Sequence, residues 1–345
     1  MVNRIRYSAF VFFMLFFVFQ LISIQAAVAQ TRGSFLELWP KTDFTKSSVN
    51  LEEILSGGPG KDGIPAIDSP KFELLIKHQT ANKHQPLNDS DPVIGIVLNG
   101  DAKAYPLRIL IWHEIVNDVV GGVPVVVTYC PLCNTSIVFD RRIDNQVLDF
   151  GTTGNLRHSD LIMYDRQTQS WWQQYEGSAI VGDLMGTRLK TLASRLESFS
   201  DFKKRAPNGS VLVPHDSHFR DYGRNPYVGY DRSALPFLFQ GKLPKNIAPM
   251  MRVIALDGLA VSLPLLAQKH EIRKNGILFS WHQGQNSALD TAKIEQGRDI
   301  GNVIVSREGV DLPYVVTFAF AYFAFNPDGR ILTANGERDI SGNTD

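Results

Sequence analysis

A strand–turn–helix–strand order occurs twice along this chain of 345 residues, and it restricts the fold more than any other feature. In the first occurrence, an apolar strand predicted over Val93–Leu98 leads into an Asn-Gly turn, which is typical of hairpins. Pro106 then begins a predicted helix, because proline at the first helical position loses no hydrogen bond. A strand made mostly of valine follows at Val123–Tyr129.

The second occurrence keeps this order with different residues. An apolar strand at Val253–Leu256, an Asp-Gly turn, a helix near Pro264 and a strand at Ile277–His282 follow one another. A period of this size is typical of two copies of one domain-like unit. We therefore predict a β-rich α+β fold with two related halves from an internal duplication and short helices between the strands. Chance similarity between short patterns is the alternative.

The chain divides into four segments on this interpretation. We predict a signal peptide at residues 1–29, an N-terminal wrap at 30–90, a first repeat at 91–232 and a degenerate second repeat at 233–345. The wrap is rich in Gly and Pro, which favours an irregular covering segment over an independent domain.

The first residues have the pattern of a secretory signal. Arg4 and Arg6 precede an uninterrupted apolar run, Ala9–Phe19, and small residues at Ala27–Ala29 resemble a cleavage site. An uncleaved membrane anchor is the alternative, but the last third of the segment is too polar for a good span. The sequence therefore predicts a periplasmic or secreted protein with no stable membrane span after cleavage.

Composition and charge narrow the classes of partner. The chain is 44% hydrophobic and 20% charged, which suits a globular core and argues against disorder. Its 35 basic and 35 acidic residues balance, so the basic excess of a nucleic-acid-binding surface is absent and we expect no such partner. Phosphate-binding glycine motifs are also absent from the sequence, so we expect no nucleotide cofactor. The sequence identifies no protein partner.

The chain's two cysteines, Cys130 and Cys133, form a Cys-Pro-Leu-Cys-Asn segment after the valine-rich strand. Such a turn resembles the metal-binding knuckles of rubredoxin and zinc ribbons, which direct two thiolates to one point. The residue after the second cysteine often has positive φ, which Asn134 tolerates. A single knuckle needs further ligands to complete a site.

His113 and His158 are the nearest histidines in sequence, and Met163 follows in a predicted strand. Cys, Cys, His and Met form a soft donor set that favours copper, whereas Cys, Cys, His and Asp suit zinc better. We therefore predict a copper or, failing that, a zinc site, with these three residues as candidate ligands beside the cysteines. Each of the three could equally be structural.

Two other interpretations of the cysteine pair remain open. The pair could exchange disulfides, although the strand predicted after it differs from the helix of thioredoxin-type sites. It could also form a static disulfide in a non-catalytic binding module. Nearby, Trp171–Glu176 could line a ligand cleft or cap a core.

Several longer motifs resemble the prokaryotic family called domain of unknown function 3179. The resemblance is strong over about residues 66–231 and weak over the C-terminal part. It is carried by Tyr105–Leu107, Trp112–Asp118, Thr128–Asn134, Ser159–Arg166, Trp172–Gln174 and Arg220–Arg224.

The resemblance implies an exported protein and no particular reaction. The family pattern has Gly where this chain has Asn134, and Asn or Tyr where it has His158. This difference favours His113 over His158 as a ligand shared by the family.

Overall fold

Five β-sheets of four or five strands form a propeller-like arrangement in the computed structural model, which describes residues 37–77 and 87–344. The predicted signal peptide lies outside the described residues. Short helices connect the strands: α1 (Leu107–His113), α2 (Phe199–Arg205), α3 (Leu263–Lys269), α4 (Ala319–Phe325), and 3₁₀ turns at Leu51–Glu53, Tyr230–Arg232 and Ile294–Gln296. The fold is thus β-rich with short helices, as predicted.

Two sheets come from the region predicted as the first repeat and from the segment before it. Sheet I has the order β15-β3-β4-β16-β2, with β2 (Lys71–Leu74), β3 (Pro92–Leu98), β4 (Asp101–Pro106), β15 (Arg195–Ser198) and β16 (Ser210–Val213). Sheet II has the order β14-β7-β6-β5, with β5 (Ile115–Val120), β6 (Val123–Cys130), β7 (Thr135–Asp140) and β14 (Lys190–Leu192). The strand and the helix expected after residue 93 are confirmed, but Pro106 ends β4 and caps the helix, which begins at Leu107.

Four of the five strands of a third sheet lie between β7 and β14 in the chain. Sheet III has the order β1-β10-β11-β12-β13, with β1 (Ile54–Ser56), β10 (Phe150–Arg157), β11 (Asp160–Asp165), β12 (Trp171–Gln173) and β13 (Ser178–Val181). A small hairpin, β8 (Arg142–Ile143) and β9 (Gln146–Val147), precedes it. Residues before 91 contribute β1 to sheet III and β2 to sheet I, so this segment is tied into both sheets.

The C-terminal residues form two further sheets. Sheet IV has the order β23-β17-β18-β24-β25, with β17 (Arg252–Leu256), β18 (Leu259–Ser262), β23 (Val315–Phe318), β24 (Arg330–Thr333) and β25 (Gly336–Arg338). Sheet V has the order β19-β20-β21-β22, with β19 (Glu271–Lys274), β20 (Ile277–His282), β21 (Asn302–Arg307) and β22 (Val310–Asp311). Four strands of sheet IV have the order of four strands of sheet I, including one parallel pair, β18–β24 in place of β4–β16. The fifth strand differs, because β2 precedes the other strands of sheet I in the chain and β25 follows those of sheet IV.

The largest hydrophobic core is continuous across sheets from both parts of the chain. It joins Val127 and Met163 from the N-terminal sheets to Phe279 and Phe318 from the C-terminal ones. Burying a large apolar side chain contributes about 1.5–3 kcal/mol, so this shared core couples the two parts energetically. In the described part of the chain, no helix has the length and apolar character needed to cross a membrane.

Candidate metal centre

The two cysteines lie on a tight turn between neighbouring strands of sheet II. Cys130 ends β6 and pairs in register with Thr135, the first residue of β7. Asn134 closes the turn with a φ of +55°, and its N–H donates to the Pro131 carbonyl at 3.2 Å. The prediction of positive φ at Asn134 is therefore confirmed, as is the strand that follows the pair.

Both cysteines are free thiols in the interior. Cys130 is 1% exposed and Cys133 is fully buried. The Cys130 Sγ lies 3.5 Å from the Ser159 carbonyl oxygen, and the Cys133 Sγ lies 3.7 Å from the His158 carbonyl oxygen. The β10–β11 turn of sheet III thus meets the cysteine turn of sheet II.

His158 and Ser159 form the two-residue loop of that β10–β11 hairpin. Both have positive φ, +54° and +65°, between the paired residues Arg157 and Asp160. Such a loop normally carries Asn and Gly, and non-glycine residues in this backbone region store strain that tends to occur at functional sites. The tight loop places Asp160, the first residue of β11, directly beside the cysteine turn.

Asp160 completes a compact group of potential ligands with the two cysteines. One ligand atom from each of Cys130, Cys133 and Asp160 lies within 4.8 Å of the other two, and all three residues are buried. The sequence analysis did not identify Asp160 as a ligand. Its only local signal was a carboxylate directly before the buried residues Leu161–Tyr164 of the same strand.

Hydrogen bonds fix the Asp160 carboxylate in place. Its Oδ1 accepts from Gln173 Nε2 at 2.7 Å and from the Tyr175 N–H at 2.9 Å. Its Oδ2 lies 3.4 Å from the Thr135 hydroxyl, whose own proton goes to Gln174 Oε1 at 2.8 Å. Gln173 and the main chain of Tyr175 therefore contact the site, whereas Trp171 and Trp172 are fully buried in the core.

Burial disfavours the charged forms of the acidic groups in this region. It raises the pKa of Asp160 to about 7, and it raises the pKa of the Cys133 thiol well above its usual value, with the neighbouring Cys130 adding to the effect. Glu114, which follows α1, has a pKa raised to about 8 by burial and by the charge of Asp160. A bound cation would replace these protons, because ligands must be deprotonated to bind a metal.

Glu114 is a second buried carboxyl group that the sequence analysis did not identify as functional. It has a φ of +58°, and its carbonyl oxygen accepts from the Tyr129 N–H at 2.8 Å beside the cysteine turn. Within residues 37–77 and 87–344, no hydrogen bond or ion pair engages its carboxylate. The region around the cysteines is thus rich in potential negative charge.

The three other predicted ligands lie in different surroundings. The ring of His113 is held by the Pro65 carbonyl at Nδ1, 2.7 Å, and by the Tyr222 hydroxyl at Nε2, 2.8 Å. The ring of His158 lies 3.7 Å from the Glu53 carboxylate, so only the main chain of His158 reaches a cysteine. Of the described residues, only Asp160 joins the cysteines in the group of close ligand atoms.

Met163 belongs to the core. It pairs with Trp172 on the neighbouring strand and is fully buried. Successive side chains of a strand point to opposite faces, so Met163 and Asp160, three positions apart on β11, point to opposite sides of sheet III. The structure therefore brings together Cys130 and Cys133 from the predicted set and adds Asp160.

The donor set fits an enclosed metal ion. Two thiolates and a carboxylate are ligands that zinc accepts, with Zn–S distances of about 2.3 Å and Zn–O distances of about 2.0–2.2 Å. Histidine nitrogen and methionine sulfur, the donors that favoured copper, are held elsewhere at His113 and Met163. The residues present thus suit zinc better than copper.

Comparison with known proteins identifies a family and no function. The sequence matches the family described as "Protein of unknown function (DUF3179)" over residues 61–329, which is well over half of the chain. No curated protein and no solved structure matches it.

Proposed function

We propose that this chain, which belongs to the DUF3179 family, is an exported protein that binds a soft metal ion through Cys130, Cys133 and Asp160. The observation that carries the proposal is the convergence of these three buried ligand atoms within 4.8 Å of one another. Zinc is the first candidate because the donors are sulfur and oxygen, and copper is the second.

Thiol–disulfide exchange is the weaker alternative. A reactive cysteine needs an accessible thiolate of low pKa, usually at a helix N-terminus. Here strands flank the cysteine turn, both thiols are buried, and the pKa of Cys133 is raised by burial. A structural disulfide in a binding module is also weaker, because both cysteines are free.

Export is supported by the sequence of the first 29 residues, with Arg4 and Arg6 before the apolar run and small residues at Ala27–Ala29. An oxidising compartment would oxidise exposed thiols, so burial and a bound ion would both protect the pair. Fractionation of the native host followed by N-terminal sequencing tests this part. Recovery of the protein from the cytoplasm with residues 1–29 intact would contradict it.

We further infer that the two parts of the chain arose by duplication. Four strands of sheet I and all four of sheet II have the same order as their counterparts in sheets IV and V, and α1 and α3 occupy the same place after the first hairpin of each part. Both helices end at a residue of positive φ, Glu114 and His270. An experimental structure tests this inference. Equivalent strands that fail to superpose in a common frame would contradict it.

Metal analysis of the purified full-length protein tests the main proposal. We expect about one zinc or copper ion per chain, and a loss of that metal in the double variant Cys130→Ser with Cys133→Ser. Asp165→Asn is a matched control, because Asp165 is a buried aspartate of the same strand that binds Thr168 and Trp172. Equal metal content in the wild type and the cysteine variant would refute the proposal.

A further inference from the structure

We propose that Gln173 completes the metal site. Its Nε2 holds Asp160 in the ligating orientation, and its Oε1 supplies a fourth donor to the ion. This inference rests on the proposed metal-binding function and deepens it, because it names a ligand that sequence patterns did not indicate.

The two oxygens of the Asp160 carboxylate have different surroundings. Oδ1 receives two short N–H donors, from Gln173 Nε2 at 2.7 Å and from the Tyr175 main chain at 2.9 Å. Oδ2 has no N–H donor: the Thr135 hydroxyl lies 3.4 Å away, and the Cys133 thiol interacts with the same carboxyl group. The protein thus holds Oδ1 in place, and Oδ2 is available to bind an ion at the cysteine sulfurs. Metal-binding groups in proteins are commonly oriented by such outer hydrogen bonds.

The other end of the Gln173 amide has no such partner. Gln173 is fully buried, and its Oε1 accepts no hydrogen bond from any described residue. A buried acceptor without a partner costs desolvation free energy, so it calls for a physical explanation. Exchanging the positions of the amide N and O would not give Oε1 a hydrogen-bond donor, because Oε1 would then face the Asp160 carboxylate, which is also an acceptor. Since Nε2 and Oε1 belong to one amide group, the unpartnered oxygen lies beside the Asp160 carboxylate.

The neighbouring Gln174 shows what a purely structural glutamine looks like here. It is equally buried, but both ends of its amide are used: Nε2 donates to the Thr128 hydroxyl, and Oε1 accepts from the Thr135 hydroxyl, each at 2.8 Å. Gln173 therefore differs from its neighbour in having a free acceptor next to the ligand group. A carboxylate oxygen and an amide oxygen with two thiolates make the four-coordinate set that a zinc-type ion prefers.

The test is titration of the metal-free full-length protein with Co²⁺, under reducing conditions and without oxygen. Dissociation constants and visible d–d absorption are measured for the wild type, Gln173→Leu, Gln173→Glu and Gln174→Leu. We expect Gln173→Leu to weaken binding about 10–100-fold. Gln174→Leu, the matched control, should stay within about threefold of the wild type. Gln173→Glu keeps a ligand oxygen but loses the N–H that donates to Asp160, so it should bind more tightly than Gln173→Leu and should shift the d–d bands.

Each outcome decides the inference. Equal weakening by Gln173→Leu and Gln174→Leu would overturn it, as would weakening by Gln173→Glu as large as that by Gln173→Leu. If Gln173→Leu does not fold, by circular dichroism, the Gln173→Glu variant decides alone, and d–d bands identical to those of the wild type would overturn the inference. A wild-type protein that binds no Co²⁺, Zn²⁺ or copper would instead refute the proposed function itself.

Discussion

Replacing Asp160 by asparagine should stabilise the metal-free protein and weaken its metal binding, two effects of opposite sign. Asparagine keeps an oxygen that can accept from Gln173 Nε2 and from the Tyr175 N–H, so the local hydrogen bonds survive. The substitution removes the only group at this position that can ionise. Buried residues that reduce stability but serve function are common at binding sites.

The size of the stabilisation depends on pH. Burial raises the pKa of Asp160 from 3.8 to about 7. The favourable contribution of the protonated carboxyl is therefore complete below about pH 4 and is lost as the pH rises through about 7. At about 1.4 kcal/mol per pKa unit, the wild type loses up to about 4 kcal/mol of unfolding free energy by pH 8, relative to the asparagine variant.

Urea denaturation of the metal-free proteins at pH 5 and pH 8 measures this difference. We expect Asp160→Asn to gain about 2–4 kcal/mol over the wild type at pH 8, and less at pH 5. The control Asp165→Asn should lose stability at both pH values, because Asp165 accepts from the Thr168 N–H at 2.6 Å and from Trp172 Nε1 at 3.0 Å. Equal destabilisation by both substitutions at pH 8 would refute the reasoning.

Three further outcomes follow from the structure. Zinc affinity should rise at least tenfold per pH unit between pH 6 and 8, because Cys133 and Asp160 lose protons on binding. Competition with a chromophoric chelator measures this affinity, and an affinity that does not change with pH would argue against these ligands. His113→Ala should leave the metal content unchanged and lower the unfolding free energy by about 1–3 kcal/mol, since both ring nitrogens are engaged elsewhere; loss of metal would restore His113 as a ligand. Asp231→Asn should lower the unfolding free energy by about 3–5 kcal/mol, because it leaves the buried Arg252 guanidinium without its ion pair at 2.8 Å. Chemical denaturation measures this change, and a decrease below about 1 kcal/mol would contradict the expectation.

Local patterns predicted the elements around the cysteines well. The valine-rich strand β6, the helix that begins after Pro106 and the positive φ of Asn134 all depend on a few neighbouring residues. Steric preferences and hydrophobic periodicity act over that range, so the printed sequence reveals them. For the same reason, it showed that the cysteine pair lies on a turn between strands and not at the start of a helix.

Local sequence patterns could not predict which residues lie together at the candidate site. His113 was a reasonable candidate by its position, but the Tyr222 hydroxyl, 109 residues further along the chain, lies against its Nε2. Met163 had suitable chemistry, but strand alternation directs it into the core. The residue that lies close to both cysteines is instead Asp160, at a hairpin of another sheet. Sequence distance and chemical type do not show which side chains meet.

The sequence by itself thus determined the family, the β-rich class and the turn that carries Cys130 and Cys133. Only the tertiary structure decided that Asp160 lies beside them, because the contact between the β6–β7 turn and the β10–β11 turn arises from packing of two sheets. Such packing depends on the burial of many apolar residues far apart in the chain. That burial also raises the pKa of Asp160 and Cys133, a property that no local pattern contains.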